Sequence, residues 1–119
     1  MRKRKLLLPN AGNLFRVNQE ADVGNYYRTL VGYAYRRRLQ LGIEMLDKPR
    51  YSNILEIGYG SGVLLKTLAA MSVKVYGVDL VTNVGLVGET ARREGFNATL
   101  SQGDIKNLDF PDNMFDAVV

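Results

Sequence analysis

Apolar and polar positions change rhythm along this chain, and each rhythm predicts a different element. Over residues 28–47 apolar residues return every three or four positions. Val31, Tyr35, Leu39, Gly42 and Leu46 form one stripe, with Leu30, Ala34, Leu41 and Met45 beside it. That spacing predicts a helix, closed by Pro49. Arg36, Arg37, Gln40 and Glu44 fall on the opposite arc. Arg38 falls inside the apolar one, and reads as a stem on the edge of the core with its head in water. From residue 53 the pattern shifts to short apolar runs. Asn53-Ile54-Leu55-Glu56-Ile57 predicts a strand, residues 63–71 a helix, and Val73-Lys74-Val75-Tyr76-Gly77-Val78, closed by Asp79, a second strand. Residues 83–95 predict the next helix, weakened by Gly85 and Gly88 and capped by Gly95. Residues 98–102 predict a third strand, and Phe115-Asp116-Ala117-Val118-Val119 begins a fourth. Strands alternating with helices imply an α/β fold, a parallel sheet with helices on both faces. The strand starting near Asn53 is expected between those starting near Val73 and Phe115, because crossovers are short and right-handed.

Composition adds exclusions. With 119 residues, 46% of them hydrophobic, the chain has the material for one domain with one core. It contains no cysteine and no histidine, which removes disulfides, thiolate metal sites, thiol nucleophiles and imidazole catalysis; no metal is expected. Residues 1–50 hold eleven Lys/Arg against four Asp/Glu, and residues 51–119 five against eight. The front end is therefore basic. Only three leucines follow its opening charges before Pro9, too few for a secretory signal, and no apolar run reaches the length of a membrane span. A cytoplasmic location is the resulting expectation. Residues 1–27 read as a basic N-terminal arm and residues 28–119 as the domain.

The chemistry concentrates at predicted strand ends. Glu56-Ile57-Gly58-Tyr59-Gly60-Ser61-Gly62 lies between a strand and a helix, where glycines allow a tight turn and close approach of a ligand. A glycine-rich turn that binds nothing is the plain alternative. Asp79 follows Gly58 by twenty-one residues, a spacing suited to an acid that accepts from ribose hydroxyls. Gly103-Asp104-Ile105 closes the third strand at the same sheet edge. Any one of these acids alone reads as a solvated loop carboxylate; three at successive strand ends point to one ligand. A nicotinamide dinucleotide would call for a glycine at the position of Val63, and Glu56 would repel its pyrophosphate. A ligand with an ammonium group would be attracted instead.

These residues, with Phe110-Pro111-Asp112-Asn113-Met114-Phe115-Asp116-Ala117-Val118-Val119, resemble the class I S-adenosylmethionine-dependent methyltransferases, in the small-molecule, ubiquinone-biosynthesis-like branch. The resemblance covers roughly residues 28–119. It implies a Rossmann-like fold, incomplete at about four of seven strands, with S-adenosyl-L-methionine as cofactor. Glu56, Gly58, Gly60 and Gly62 would hold the methionyl end. Asp79 would take the ribose hydroxyls, Leu80 would pack near the adenine, Asp104 would accept from its amino group, and the N–H of Ile105 would reach a ring nitrogen. Tyr26 and Tyr27 lie where relatives often place cofactor-closing residues, though core or helix-entry aromatics are an equal reading. No catalytic base is assigned.

The implied reaction is methyl transfer by in-line displacement to an unidentified, small-molecule acceptor. The last strand has barely begun at Val119, so the chain reads as cut short, and its exposed edge invites self-association. A truncated, non-catalytic cofactor-binding remnant is the first alternative. A nucleic-acid binder using residues 2–5 and Arg36-Arg37-Arg38 is a lesser one, and a nicotinamide-binding protein ranks last.

Overall fold

The computed structural model describes residues 3–17 and 23–119. Four strands form one parallel sheet: β1 (Tyr51–Ile57), β2 (Ser72–Asp79), β3 (Thr99–Gln102) and β4 (Ala117–Val118), in the order β3-β2-β1-β4. Three helices accompany them: α1 (Leu30–Glu44), α2 (Leu65–Met71) and α3 (Val84–Glu94). The expected α/β class, parallel sheet and central β1 are all present. Register pairs Ile54 with Val75 and Glu56 with Gly77 across β1 and β2, and Ile54 with Ala117 across β1 and β4.

The crossovers β1-α2-β2 and β2-α3-β3 step in the same direction along the sheet. Right-handed connections then place α2 and α3 on one face, where Lys66 of α2 reaches Glu94 of α3 at 2.9 Å. The core lies beneath them. Ile43, Ile54, Leu65, Leu68 and Val87 are completely buried, each contributing about 1.5–3 kcal/mol of hydrophobic stabilisation. A second helical layer is the sequence expectation for the opposite face. Among the described residues that face instead meets aromatic rings, with Tyr76 of β2 edge-to-face with Phe110 and Phe115 from the segment leading into β4.

Local chemistry sets the helix ends. Asn83 caps α3 by accepting from the N–H of Leu86, and Gly95 closes it at φ 73°, a left-handed conformation suited to glycine. The C-terminal carbonyls of α1 are met from outside by the Arg4 guanidinium, which donates to Ile43 and Leu46. Asp116 ties the approach to β4 onto the start of β1, accepting from the N–H groups of Ser52 and Asn53 at 3.0 and 2.9 Å.

Helix α1 departs from its predicted orientation. It spans Leu30–Glu44 rather than 28–47, and its inward line runs through Gly32, Tyr35, Arg36, Leu39, Gln40 and Ile43. Leu30, Val31, Leu41 and Met45, predicted at the core, are exposed. The reason is docking by the preceding segment. A Cβ on Gly32 would come within 2.8 Å of the Asn25 carbonyl and 3.0 Å of that of Tyr26, so the chain ahead of the helix packs where only glycine fits. Arg36 and Gln40, expected in solvent, hydrogen-bond to carbonyls of that lead-in, at Tyr26 and Arg4 respectively. Residues 3–17 run across all three helices, with Leu7 bonded to Thr67 of α2 and Asn10 and Asn13 to Glu94 of α3. Arg2 and residues 18–22 of the predicted arm lie outside the described residues.

Candidate functional site

Parallel strands bring their C-terminal ends to one edge, and the predicted site residues gather there. Glu56 is the penultimate residue of β1, Asp79 the last of β2, and Asp104 lies two positions beyond β3. Between β1 and α2 the chain turns through Gly58, Gly60 and Gly62, all at positive φ (75°, 52° and 86°). They are glycines for two different reasons. A Cβ on Gly60 would point into open space, so that side is left clear for a ligand. A Cβ on Gly62 would sit 2.9 Å from Val87 Cγ1, so this glycine lets the turn pack against α3.

Two cavities meet at Gly58. The first, about 330 Å³, is lined by Glu56, Gly60, Ser61 and Tyr59 on the sheet side and by Tyr26, Tyr35 and Arg38 from α1 and its lead-in. The second, about 200 Å³, lies between Asp79 and Leu80 on one side and Gly103, Asp104 and Ile105 on the other, with Ile57 and Val78 as an apolar floor. Leu80 and Ile105 stand 62% and 55% exposed at its mouth, available to cover a planar ring.

The acids differ in their commitments. Glu56 is buried, and its Oε2 has no hydrogen-bond partner. Burial, reinforced by the nearby Asp79 carboxylate, pushes its pKa up to about 8. Asp79 is also buried but well partnered: Oδ2 accepts from Gly60 N–H at 2.8 Å and Oδ1 from Val81 N–H at 2.9 Å. It therefore fastens the glycine turn to the end of β2, with lone pairs remaining on both oxygens. Asp104 is exposed and uses Oδ1 to cap the short turn at 105–107 through Lys106 N–H.

Sequence reasoning missed several of these wall residues. Tyr59 is buried with its ring over Gly77, where a Cβ would come within 2.5 Å of Cδ1, and its hydroxyl donates to the Ser101 carbonyl. Burial foremost pushes its pKa up to about 12, so it stays a donor. The pairing of a tyrosine in the turn with a glycine on the next strand was the available signal. Thr82 donates to the Gly60 carbonyl, a second tie on the turn. Arg38 is exposed as expected, and it also belongs to the lining of the first cavity, with its guanidinium carbon 5.6 Å from the Tyr35 ring centroid. Tyr26 also lines that cavity, whereas the Tyr27 hydroxyl turns away to donate to the Pro9 carbonyl. Three of the basic residues of the nucleic-acid alternative have partners within the chain: Arg4 on α1, Arg36 on the lead-in and Arg37 on Glu44 at 3.7 Å. Among the described residues no cluster of acidic side chains is arranged to hold a metal ion, and no helix is long and apolar enough to cross a membrane.

Comparison with known proteins agrees with this geometry. Residues 54–119 match the family described as methyltransferase domain. No curated protein matches significantly. Among solved structures, the YcgJ protein of Bacillus subtilis is similar at 27% identity and a TM-score of 0.63, over 69% of this chain and 36% of its own. PH0226 from Pyrococcus horikoshii shares the fold at 23% identity and a TM-score of 0.61, over 76% and 43%. The N-methyltransferase NodS from Bradyrhizobium japonicum does so at 22% and 0.57, over 73% and 48%. The chain thus spans between about a third and a half of the length of these proteins. With more than half of its residues matched to that family, and with the glycine turn and strand-end acids in place, the chain belongs to the class I methyltransferases that its motifs resemble.

Proposed function

We propose that the crevice binds S-adenosylmethionine and that the chain contributes this cofactor site to methyl transfer onto a small-molecule acceptor. The observation that carries the reading is the buried Glu56 carboxylate, its Oε2 unpartnered, in the lining of a cavity that meets a second, apolar-floored one at Gly58. An unpaired buried carboxylate is costly unless a cation meets it. An ammonium group supplies that cation, and the adjoining slot suits a nucleoside.

Each residue then has a task. Glu56 and the glycine turn at Gly58, Gly60 and Gly62 hold the methionyl end. The remaining lone pairs of Asp79 accept from ribose hydroxyls. Leu80 and Ile105 cover the adenine, with Asp104 accepting from its amino group and the Ile105 N–H donating to a ring nitrogen. S-adenosylmethionine, when bound, supplies a sulfonium-activated methyl group that passes to a nucleophile by in-line displacement. The protein's contribution is orientation and exclusion of water. A missing histidine is no obstacle to that chemistry, and no residue of this chain is assigned as a base. In this reading residues 28–119 form the cofactor-binding half, the described residues of the 1–27 arm brace it, and the protein acts in the cytoplasm.

Calorimetry tests the reading directly. S-adenosylmethionine or S-adenosylhomocysteine should bind with one site per chain, and NADH should not compete. Tighter binding of NADH than of either adenosyl ligand would overturn it. Transfer of a labelled methyl group to a panel of small-molecule acceptors tests the reaction itself.

A further inference from the structure

The outer face of α1 carries an apolar stripe that the described residues leave uncovered. On a helix of about 3.6 residues per turn, Leu30, Ala34, Leu41 and Met45 fall within an arc of about 60°. All four are exposed, Leu30 and Met45 at 87% and 84%. From Leu30 to Met45 the stripe runs about 22 Å. Beside it Tyr33, 66% exposed, joins Leu6 and Leu8 of the arm in lining a groove of about 320 Å³. None of these residues lines either cavity at the glycine turn.

Cations frame this surface. Arg37 and Arg38, both exposed, fall just outside the two edges of the stripe, and Lys5 and Arg37 help to line the groove. Residues 3–17 and 23–46 hold eight Lys/Arg and one acid, Glu44, which Arg37 meets at 3.7 Å. Arg4 and Arg36 meet carbonyls, which leave their charge uncancelled. The surface therefore calls for a partner that is both apolar and anionic. A second copy does not supply one: in an antiparallel two-fold pairing along the stripe, Leu30 would face Met45 of the copy, but Arg37 would face Arg38, cation on cation. RNA would answer the arginines and leave Leu30 and Met45 in water. A bilayer with acidic headgroups answers both needs. Its acyl boundary takes the apolar side chains, while arginine stems lie along it with their heads at the phosphates.

We propose that the outer face of α1, with the adjoining groove, is a docking surface for an anionic phospholipid bilayer. Leu30, Leu41 and Met45 enter the headgroup boundary, and Arg37, Arg38 and Lys5 meet the phosphates. Helix α1 lies in the plane of the surface and spans nothing, in keeping with its fifteen residues. The proposal stands apart from the S-adenosylmethionine reading, in which none of these residues has a task.

Vesicle flotation tests it, with phosphatidylcholine alone and phosphatidylcholine mixed with phosphatidylglycerol. The proteins are the wild type, Arg37→Gln and the double variant Leu30→Gln with Met45→Gln. Thermal melts confirm folding, since these side chains are exposed. The wild type should float with the mixed vesicles and not with phosphatidylcholine alone. Arg37→Gln should bind the mixed vesicles about fivefold more weakly. The double variant should lose at least about tenfold, and added salt should weaken binding by the wild type. Both variants should keep the wild-type affinity for S-adenosylhomocysteine. A wild type that stays with neither vesicle overturns the proposal, as does a double variant that floats like the wild type, because charge alone would then explain binding. Single-stranded RNA or polyglutamate that binds more tightly than the mixed vesicles and displaces them also overturns it, by assigning the face to that partner. Docking without any binding of S-adenosylhomocysteine would sink the cofactor reading alone.

Discussion

Replacing Glu56 by glutamine should stabilise this protein while weakening its ligand binding, and the balance should depend on pH. Glu56 is buried, one of its oxygens lacks a partner, and its pKa stands at about 8 against an ordinary 4.5. Because the folded state holds this proton more tightly than the unfolded chain, folding carries no penalty below pH 4.5. Stability is then lost progressively as pH rises toward 8. At about 1.4 kcal/mol per pH unit, the full ionisation cost is on the order of 5 kcal/mol. Relaxation around a buried charge lowers it, so Glu56→Gln should gain about 2–5 kcal/mol at pH 8. For a domain of this size that corresponds to a Tm increase of about 8–20 °C. At pH 4.5 the gain should vanish, since protonated glutamate and glutamine are then both neutral. Differential scanning calorimetry across this range measures the effect. A stability difference that does not change with pH would refute the assignment of Glu56 as the buried ionising group. Ligand binding should show the complementary slope. Only ionised Glu56 attracts an ammonium, so wild-type affinity for S-adenosylmethionine should rise close to tenfold from about pH 6 to pH 7, below the titration of the ligand's own amine. The glutamine variant should bind more weakly and without that slope.

Three further substitutions probe other parts of the crevice. Asp79→Ala removes the acceptor for Gly60 and Val81 N–H groups as well as the ribose contact. It should cost about ten- to hundredfold in cofactor affinity by calorimetry and about 1–3 kcal/mol in urea unfolding; unchanged affinity would remove Asp79 from the site. Gly62→Ala places a Cβ at φ 86° and 2.9 Å from Val87, so it should destabilise the fold by about 2–4 kcal/mol, checked by thermal melts. β4 is an edge strand of the sheet, with Val118 57% exposed. The 119-residue chain should therefore self-associate, and Val118→Lys should shift it toward monomer in size-exclusion chromatography with light scattering. A wild type that stays monomeric at high concentration would show that this edge is inert.

The class of fold and the meeting of the strand-end acids at one sheet edge were legible because they rest on short-range requirements. A strand, a turn at three positive-φ glycines and a helix are specified within about twenty residues, since few side chains tolerate that backbone. Right-handed crossovers then order the strands, and the acids at their ends meet at one edge without further instruction. What lay beyond the sequence was every choice made by docking. The inward face of α1 could not be read from its apolar stripe, because the lead-in packs onto Gly32 and leaves Leu30, Val31, Leu41 and Met45 exposed. Arg4 and Arg36 looked like solvated charge until distant carbonyls claimed them. Arg38 looked like a core-edge stem until the orientation of α1 carried it, over Tyr35, to the cavity that holds Glu56. Periodicity records which residues share a helical face; which neighbour that face meets is decided by contacts far apart in the chain, and only the tertiary structure contains them.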